Sequence, residues 1–191
     1  MKTIAGLLHA QTGTIRFQGE NVEKLPPYEL VKRGLTLIPE GRDIFPRLTV
    51  DENIRLGAYT INDKSKVAKS KAKVYEIFPV LKKKEKALAQ TMSGGEQQML
   101  VIARSLMANP KLMILDEPSL GLAPIIVEKV LDTLQMINED GVSILLVEQN
   151  IRDSLGISNR AYVLEEGKII IEGEGRELLN NYHIKEVYLG V

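Results

Sequence analysis

Hydrophobic positions follow two rhythms along the chain. Leu35–Ile38 and residues 112–115 and 142–147 are short, nearly continuous apolar runs. Runs of this kind, separated by segments of helical period, predict strands of a parallel sheet covered on both faces. The segments between them carry helix punctuation. Pro26-Pro27 opens a short helix ending at Arg33, with Gly34 at its C′ position. Thr49 and Glu52 stand at capping-box spacing for a helix through Ala58. Further helices are predicted over residues 64–78, from Ser93 to Asn109 before Pro110, over 124–139 with Gly141 closing it, and just after Asn150. Residues 14–18 alternate and predict a strand turning at Gly19. Residues 161–164 and 168–172 predict a hairpin turning at Glu166-Gly167. Residues 1–8 read as the end of a helix.

This pattern divides the chain into residues 1–42 and 110–191, which belong to one α/β core, and residues 43–92, a helical insert. Residues 93–97 and their helix to 109 follow the insert. Parallel sheets bind ligands beyond the carboxyl ends of their strands, so the polar residues just past each run are the first place to seek chemistry. The insert is basic between Asn62 and Lys86, with nine Lys against three acids. A solvated helical face explains this run; contact with anionic lipid is the alternative.

Composition narrows the function classes. Lys+Arg and Asp+Glu are 25 each, so the net charge is zero, which argues against a general nucleic-acid binder. Cysteine is absent and only His9 and His183 are present, which excludes thiol chemistry and makes a His-rich metal site improbable. No apolar run approaches the roughly 20 residues of a membrane span. Residues 1–8 lack the apolar core and cleavage site of a secretory signal. A cytosolic chain is expected.

Four places carry candidate chemistry. Residues 112–115 end in Asp116-Glu117-Pro118, two carboxylates at the carboxyl end of a buried strand. Alternation along an extended segment would point them opposite ways. Asp116 can then hold Mg²⁺ through water, while Glu117 orients or deprotonates an attacking water. Acids placed there for solubility are the plainer explanation of two carboxylates alone. Ser93-Gly94-Gly95-Glu96 opens a helix, and its glycines let an anion approach the free amides; the same residues also make a capping box that needs no ligand. Ile38-Pro39-Glu40-Gly41-Arg42 and Val147-Glu148-Gln149-Asn150 are polar turns after strands, each weak alone. Gly167-Lys168 is no phosphate loop, because Ile169 follows it. Gly173-Glu174-Gly175 lacks the third glycine of a dinucleotide fingerprint.

Taken in order and spacing, these motifs resemble the ATP-binding subunits of ABC transporters, from Met1 to Val191. Ser93-Gly94-Gly95-Glu96-Gln97 resembles the family signature, residues 112–117 resemble Walker B with its glutamate, and Ser119-Leu120-Gly121-Leu122 resembles the D-loop. The resemblance places Glu40 at the Q-loop position and Gln149 at the switch position. Pro39 to Arg42, Phe45 to Val50, Ser93 to Met99, Gly121 to Pro124, Val147 to Asn150 and the ending Tyr188-Leu189-Gly190 resemble the branched-chain amino acid transporter ATPases in particular. The implied fold is α/β, a P-loop NTPase-like ABC ATPase with an inserted helical subdomain. The implied roles are Glu117 and Gln149 in catalysis, Ser93, Gly94, Gly95 and Glu96 in ATP binding, and Asp116 and Glu40 on Mg²⁺.

The resemblance also sets an expectation about the N-terminal end. The family carries Gly-x-x-x-x-Gly-Lys-Ser/Thr just before the helix whose end residues 1–8 resemble, and these 191 residues contain no such motif. An ATPase fold incomplete at its N-terminus is expected, with weak ATP binding and little hydrolysis by the chain alone. In the family two subunits meet head to tail, each ATP lying between one phosphate loop and the other subunit's signature. The expected partners are therefore a second ATPase subunit and membrane permease subunits, docked near residues 40–56 at the inner face of the membrane, and no nucleic acid. A non-catalytic or regulatory partner that completes a site in trans is the alternative. The stretch from Glu40 to Ser93 is too short for the coiled coil of repair members of the superfamily, and the paired domains of ribosome-associated members are not visible.

Overall fold

A computed structural model describes residues 1–186; the Tyr188-Leu189-Gly190 ending lies outside the described residues. Residues 1–8 form turns rather than a regular helix. Leu7 N–H donates to Lys2 O at 2.9 Å and Gly6 N–H to Thr3 O at 3.2 Å, with Gly6 at φ 72°. That crossed pair of bonds around a left-handed glycine is how helices commonly end.

The strand expected over 14–18 is reduced to β1 (Arg16–Phe17), paired antiparallel with β2 (Glu20–Asn21). α1 (Pro27–Arg33) follows, with Gly34 at φ 94° as its C-cap. β3 (Leu35–Ile38) comes next and leads into the insert. There α2 (Val50–Leu56) starts on the Thr49 capping box, and α3 (Lys64–Ile77) starts on Asp63. A short α4 (Pro79–Lys83) and a 3-10 turn at Ala89–Thr91 are additional to the sequence reading.

α5 (Gly94–Leu106) stops short of Asn109. Asn109 takes φ 50° and Pro110 follows it, so the chain leaves the helical region before the proline that cannot donate to it. The second half alternates as expected: β4 (Leu112–Asp116), α6 (Pro124–Glu139), β5 (Ser143–Val147) and α7 (Ile151–Ile157). β6 (Ala161–Glu165) and β7 (Lys168–Gly173) form the hairpin, followed by α8 (Gly175–Leu178). Its turn residues Glu166 and Gly167 both have positive φ, at 46° and 77°, the backbone that tight hairpins require.

The central sheet has order β3-β4-β5 and is parallel throughout. β4 is the middle strand, and its Met113, Ile114 and Leu115 are completely buried. β5 differs from the expectation for a continuous apolar run. Its outer edge pairs with no strand among the described residues, and Val147 is 38% exposed. Tyr162, Leu164, Ile169 and Ile170 on the separate β6–β7 hairpin are also exposed. Half-covered apolar strands with a free edge favour association between chains.

The insert packs against α5. Val50 and Ile54 of α2, Phe78, Leu81 of α4, and Leu100, Ile102 and Met107 around α5 share one buried cluster. The buried Asn53 fixes the approach to α2. Its side-chain oxygen accepts Phe45 N–H at 2.9 Å and its amide donates to the Phe45 and Thr49 carbonyls, both at 3.0 Å.

Asp51 ties α2 to α3. It accepts the Tyr75 hydroxyl at 2.8 Å, pairs with Arg55 Nε at 2.7 Å, and meets Lys71 Nζ. Burial alone would raise its pKa; the hydrogen bonds from Lys71 and Tyr75, with the Lys71 and Arg55 charges, outweigh burial and hold it below the ordinary value. Burial first, then the Asp51 bond, push the Tyr75 phenol upward.

A lowered folded-state pKa means that ionised Asp51 stabilises the fold above the unfolded carboxylate value of about 3.9. The contribution fades as pH falls through the folded value. The wild-type melting temperature, followed by circular dichroism, should therefore fall more steeply below about pH 4 than that of Asp51→Asn. Parallel curves would show that Asp51 contributes nothing in its ionised form.

Candidate functional site

The two groups of candidate residues lie on different elements and are joined by a third. The first group is the start of α5. Ser93 Oγ accepts the Glu96 N–H at 3.4 Å, and Glu96 Oε2 accepts the Ser93 N–H at 3.0 Å. The capping box expected as the plainer reading is thus present. It leaves the Gly94 and Gly95 amides in the first turn, where a helix offers no internal acceptor. Ser93 is exposed, Gly94 partly so, and Gly95 buried. Lys84 Nζ lies 2.6 Å from Glu96 Oε1. That bond, foremost, and the Ser93 backbone amide hold the Glu96 carboxyl below its ordinary pKa against the opposing effect of burial. Glu96 is thus a negative charge fixed at the helix start by Lys84 and the Ser93 amide.

The second group sits at the carboxyl ends of β4 and β5. Asp116 ends β4 opposite Val147. Glu117 does not continue the strand. Its φ is 48°, and its N–H donates to Val147 O at 2.9 Å. The alternation expected of an extended Asp-Glu pair therefore fails. The turn into Pro118, more than strand geometry, sets the direction of the Glu117 side chain. A bulky residue in this backbone region persists only where its surroundings hold it. Gln149, just past β5, donates its side-chain amide to Glu117 Oε1 at 2.7 Å. Asp116 and Glu117 are both partly exposed, so neither is sealed in packing. An open cleft of about 320 Å³ lies beside them, lined by Glu117, Ser119, Glu148, Gln149 and Asp153 among others.

Arg42 connects the two groups. A Cβ on Gly94 would sit 2.9 Å from Arg42 Nη1, and Arg42 Nη2 donates to Leu120 O at 3.2 Å. One guanidinium thus covers the first glycine of the α5 tip and holds the turn after Glu117. Sequence reasoning treated 39–42 only as a turn around Glu40. Nothing in the local pattern distinguishes Arg42, because its partners are 52 and 78 positions away.

Glu40 is exposed and lies two residues past β3. Ile38 pairs with Leu115, so Glu40 and Asp116 leave the same end of neighbouring strands. Among the described residues no group of three or more His, Cys, Asp or Glu is arranged to hold a metal. Asp116 and Glu40 accordingly form no protein cage. A site of that kind suits Mg²⁺ only as a companion of phosphate, since Mg²⁺ keeps waters and takes one or two carboxylates. A second cleft, lined by Gln18, Arg33, Asn109 and Lys111, lies at the opposite ends of the strands. It is remote from these carboxylates.

Comparisons with known proteins identify the family. The family described as ABC transporter matches residues 1–120. The chain belongs to the ABC transporter family. Its described part has the mixed α/β cassette fold of the family's ATP-binding subunits. A solved ATP-binding cassette of an ABC transporter in its ADP conformation superposes with a TM-score of 0.84 at 25% identity, over 100% of this chain and 82% of that one. A dimeric cassette bound to ADP and phosphate gives 0.78 at 23% identity, over 92% and 78%.

Among curated relatives, the high-affinity branched-chain amino acid transport ATP-binding protein BraG of Pseudomonas aeruginosa is 44% identical over 190 residues, 100% of this chain and 81% of that protein. A probable branched-chain amino acid transport ATP-binding protein, LivF of Archaeoglobus fulgidus, is 35% identical over 192 residues, with the same coverage. Lipopolysaccharide export ATP-binding protein LptB of Escherichia coli is 30% identical over 189 residues, 98% of this chain and 78% of LptB. No helix among the described residues is long and apolar enough to cross a membrane.

Proposed function

We propose that the chain is an ATP-handling subunit of an importer for branched-chain amino acids, and that its Ser93 helix tip serves ATP hydrolysis in trans, against the phosphate loop of a second ATPase subunit. The observation that carries the reading is the Glu117–Gln149 hydrogen bond at the carboxyl ends of adjacent parallel strands, joined through Arg42 to the exposed tip of α5. A carboxylate held by an amide donor is placed to orient water. Gln149 keeps a second amide hydrogen for a phosphate oxygen. Ser93 and the Gly94 and Gly95 amides face a triphosphate as donors at a helix N-terminus. Bound MgATP supplies the phosphoryl group, and its Mg²⁺ carries the positive charge that Asp116 and Glu40 would balance. The similarity to BraG and LivF supports the substrate class.

These 191 residues contain no Gly-x-x-x-x-Gly-Lys-Ser/Thr. Charge-assisted hydrogen bonds contribute roughly 1.5–3 kcal/mol each, so about four absent ones remove some 6 kcal/mol even at the low end. A micromolar site needs about 8 kcal/mol. Paired with a complete ATPase subunit, one copy completes one site through Ser93 and Gly95. The exposed Phe45 and Leu56 lie on the segment proposed to dock a permease at the inner face of the membrane.

The test is phosphate release from MgATP by the purified chain, by a complete ATPase subunit of the same family, and by the two mixed. The expected outcome is no turnover by the chain alone and a rate in the mixture above that of the complete subunit alone. Turnover by the chain alone at the usual rate for the family would overturn the in-trans reading. A mixture no faster than its complete member would remove the in-trans role from the Ser93 tip.

A further inference from the structure

Glu148 stands between the end of β5 and Gln149, and neither the motif reading nor the relatives give it a role. Its carboxylate crosses to the turn after β4. Oε1 accepts the Ser119 N–H at 2.9 Å and Oε2 accepts the Ser119 hydroxyl at 2.7 Å. Both oxygens thus hold one residue, which fixes orientation as well as distance. Glu148 and Ser119 are partly buried, whereas Gln149 is exposed.

The gripped turn is the one that aims Glu117. Within it Leu120 N–H donates to Glu117 O and Leu122 N–H to Ser119 O, both at 3.1 Å. Arg42 meets the same turn from the other side, at Leu120 O. Glu117 itself holds a left-handed backbone, a conformation that needs support from outside. The Gln149–Glu117 bond cannot supply all of it, since water competes for an exposed side-chain pair. The Glu148–Ser119 contact is part-buried and two-pronged, so water competes with it less.

We propose that Glu148 is a positioning residue: its two-pronged hold on Ser119 sets the 117–122 turn so that the Glu117 carboxylate stays on the Gln149 amide. The inference rests on the roles given to Glu117 and Gln149 above. The Glu148–Ser119 and Gln149–Glu117 contacts tie the chain just past β4 to the chain just past β5 twice, and the backbone of each closes the ring. Glu148→Gln keeps an acceptor for the Ser119 N–H and a donor for its hydroxyl oxygen, so it should retain much of the hold. Glu148→Ala removes both prongs.

The test needs no nucleotide, so its failure is separate from failure of the ATP reading. Amide exchange of Ser119 and the Gln149 side-chain amide resonance are read by NMR in the wild-type chain, Glu148→Ala, Glu148→Gln and Ser119→Ala. Glu117→Ala marks the resonance of an unpaired Gln149. Glu148→Ala is expected to speed Ser119 exchange about tenfold or more and to move the Gln149 resonance toward the Glu117→Ala position, with α6 unchanged and Glu148→Gln lying nearer wild type. A Gln149 resonance that stays at the wild-type position in Glu148→Ala overturns the proposal, as does Ser119 exchange that does not rise. Should Glu148→Ala not fold, Ser119→Ala removes the hydroxyl prong alone: a Gln149 resonance moved part-way toward the Glu117→Ala position supports the hold, and an unmoved one refutes it.

Discussion

Ser93→Arg is expected to remove roughly 100-fold of the ATPase rate that the chain contributes to a mixed assembly, the scale of losing one preorganised donor at developing charge. Ser93 is exposed at the tip of α5, where its hydroxyl and the next amides form the proposed triphosphate face. Arginine adds a long side chain in front of those amides. It also ends the hydroxyl half of the capping box, in which Ser93 Oγ accepts the Glu96 N–H at 3.4 Å. The Arg42 guanidinium already lies over Gly94, so the new cation meets a like charge and is driven outward into the approach path. The fold should survive, because a lost cap costs about 1 kcal/mol. The measurement is phosphate release from the mixture with wild-type or variant chain, with melting temperature as the control for folding. An undiminished stimulated rate would remove the in-trans role from this helix tip.

Gly57→Ala should be the most damaging small substitution for stability. Gly57 closes α2 where α2 crosses α5. A Cβ there would collide with the Arg104 carbonyl oxygen and sit 2.9 Å from the Met107 Cβ. Neither obstacle is the loose end of a side chain, so the two helices must separate. Separation disturbs the buried Ile54, Ile102 and Met107. Overpacking of this kind costs about 3 kcal/mol, at the upper end of its usual range, or a melting-temperature drop of roughly 6–12 °C for a chain of this size. Gly156→Ala in α7 is the contrast, with nothing within 4 Å of its new methyl. It should be neutral or slightly stabilising, because alanine favours helix over glycine. Equal melting temperatures for the two variants would show that the α2–α5 contact has slack.

The sequence reading located the parallel strands well because β3 and β4 are dense apolar runs with polar residues just past their ends. It located helix starts where a capping pair or proline marks them, as at Thr49, Ser93 and Pro124. It overran the end of α5, because the left-handed Asn109 is a local choice that period alone does not reveal. It missed α4, a five-residue helix too short to show a period. It expected β5 to be covered on both faces, since apolar content says how a strand prefers to be packed and not which neighbours it has.

At the site, motif order placed Ser93, Gly94, Gly95, Asp116 and Glu117 at a helix tip and a strand end. It could not show the turned backbone of Glu117 or the Gln149 amide resting on its carboxylate. Glu96, given to nucleotide binding by resemblance, is engaged with Lys84 and the Ser93 amide, contacts that motif order does not reveal. Arg42 and Glu148 escaped notice because their partners are distant in sequence. Only the fold brings Arg42 to Gly94 and Leu120, or Glu148 to Ser119.

The most direct measurement is calorimetric titration of MgATP into the purified 191-residue chain. If Ser93, Glu117 and Gln149 hold a triphosphate only alongside a phosphate loop, which these 191 residues do not contain, no saturable binding should appear below about 1 mM, where the binding free energy is only about 4 kcal/mol. A dissociation constant in the micromolar range would contradict this, because it would mean that these residues hold the triphosphate unaided.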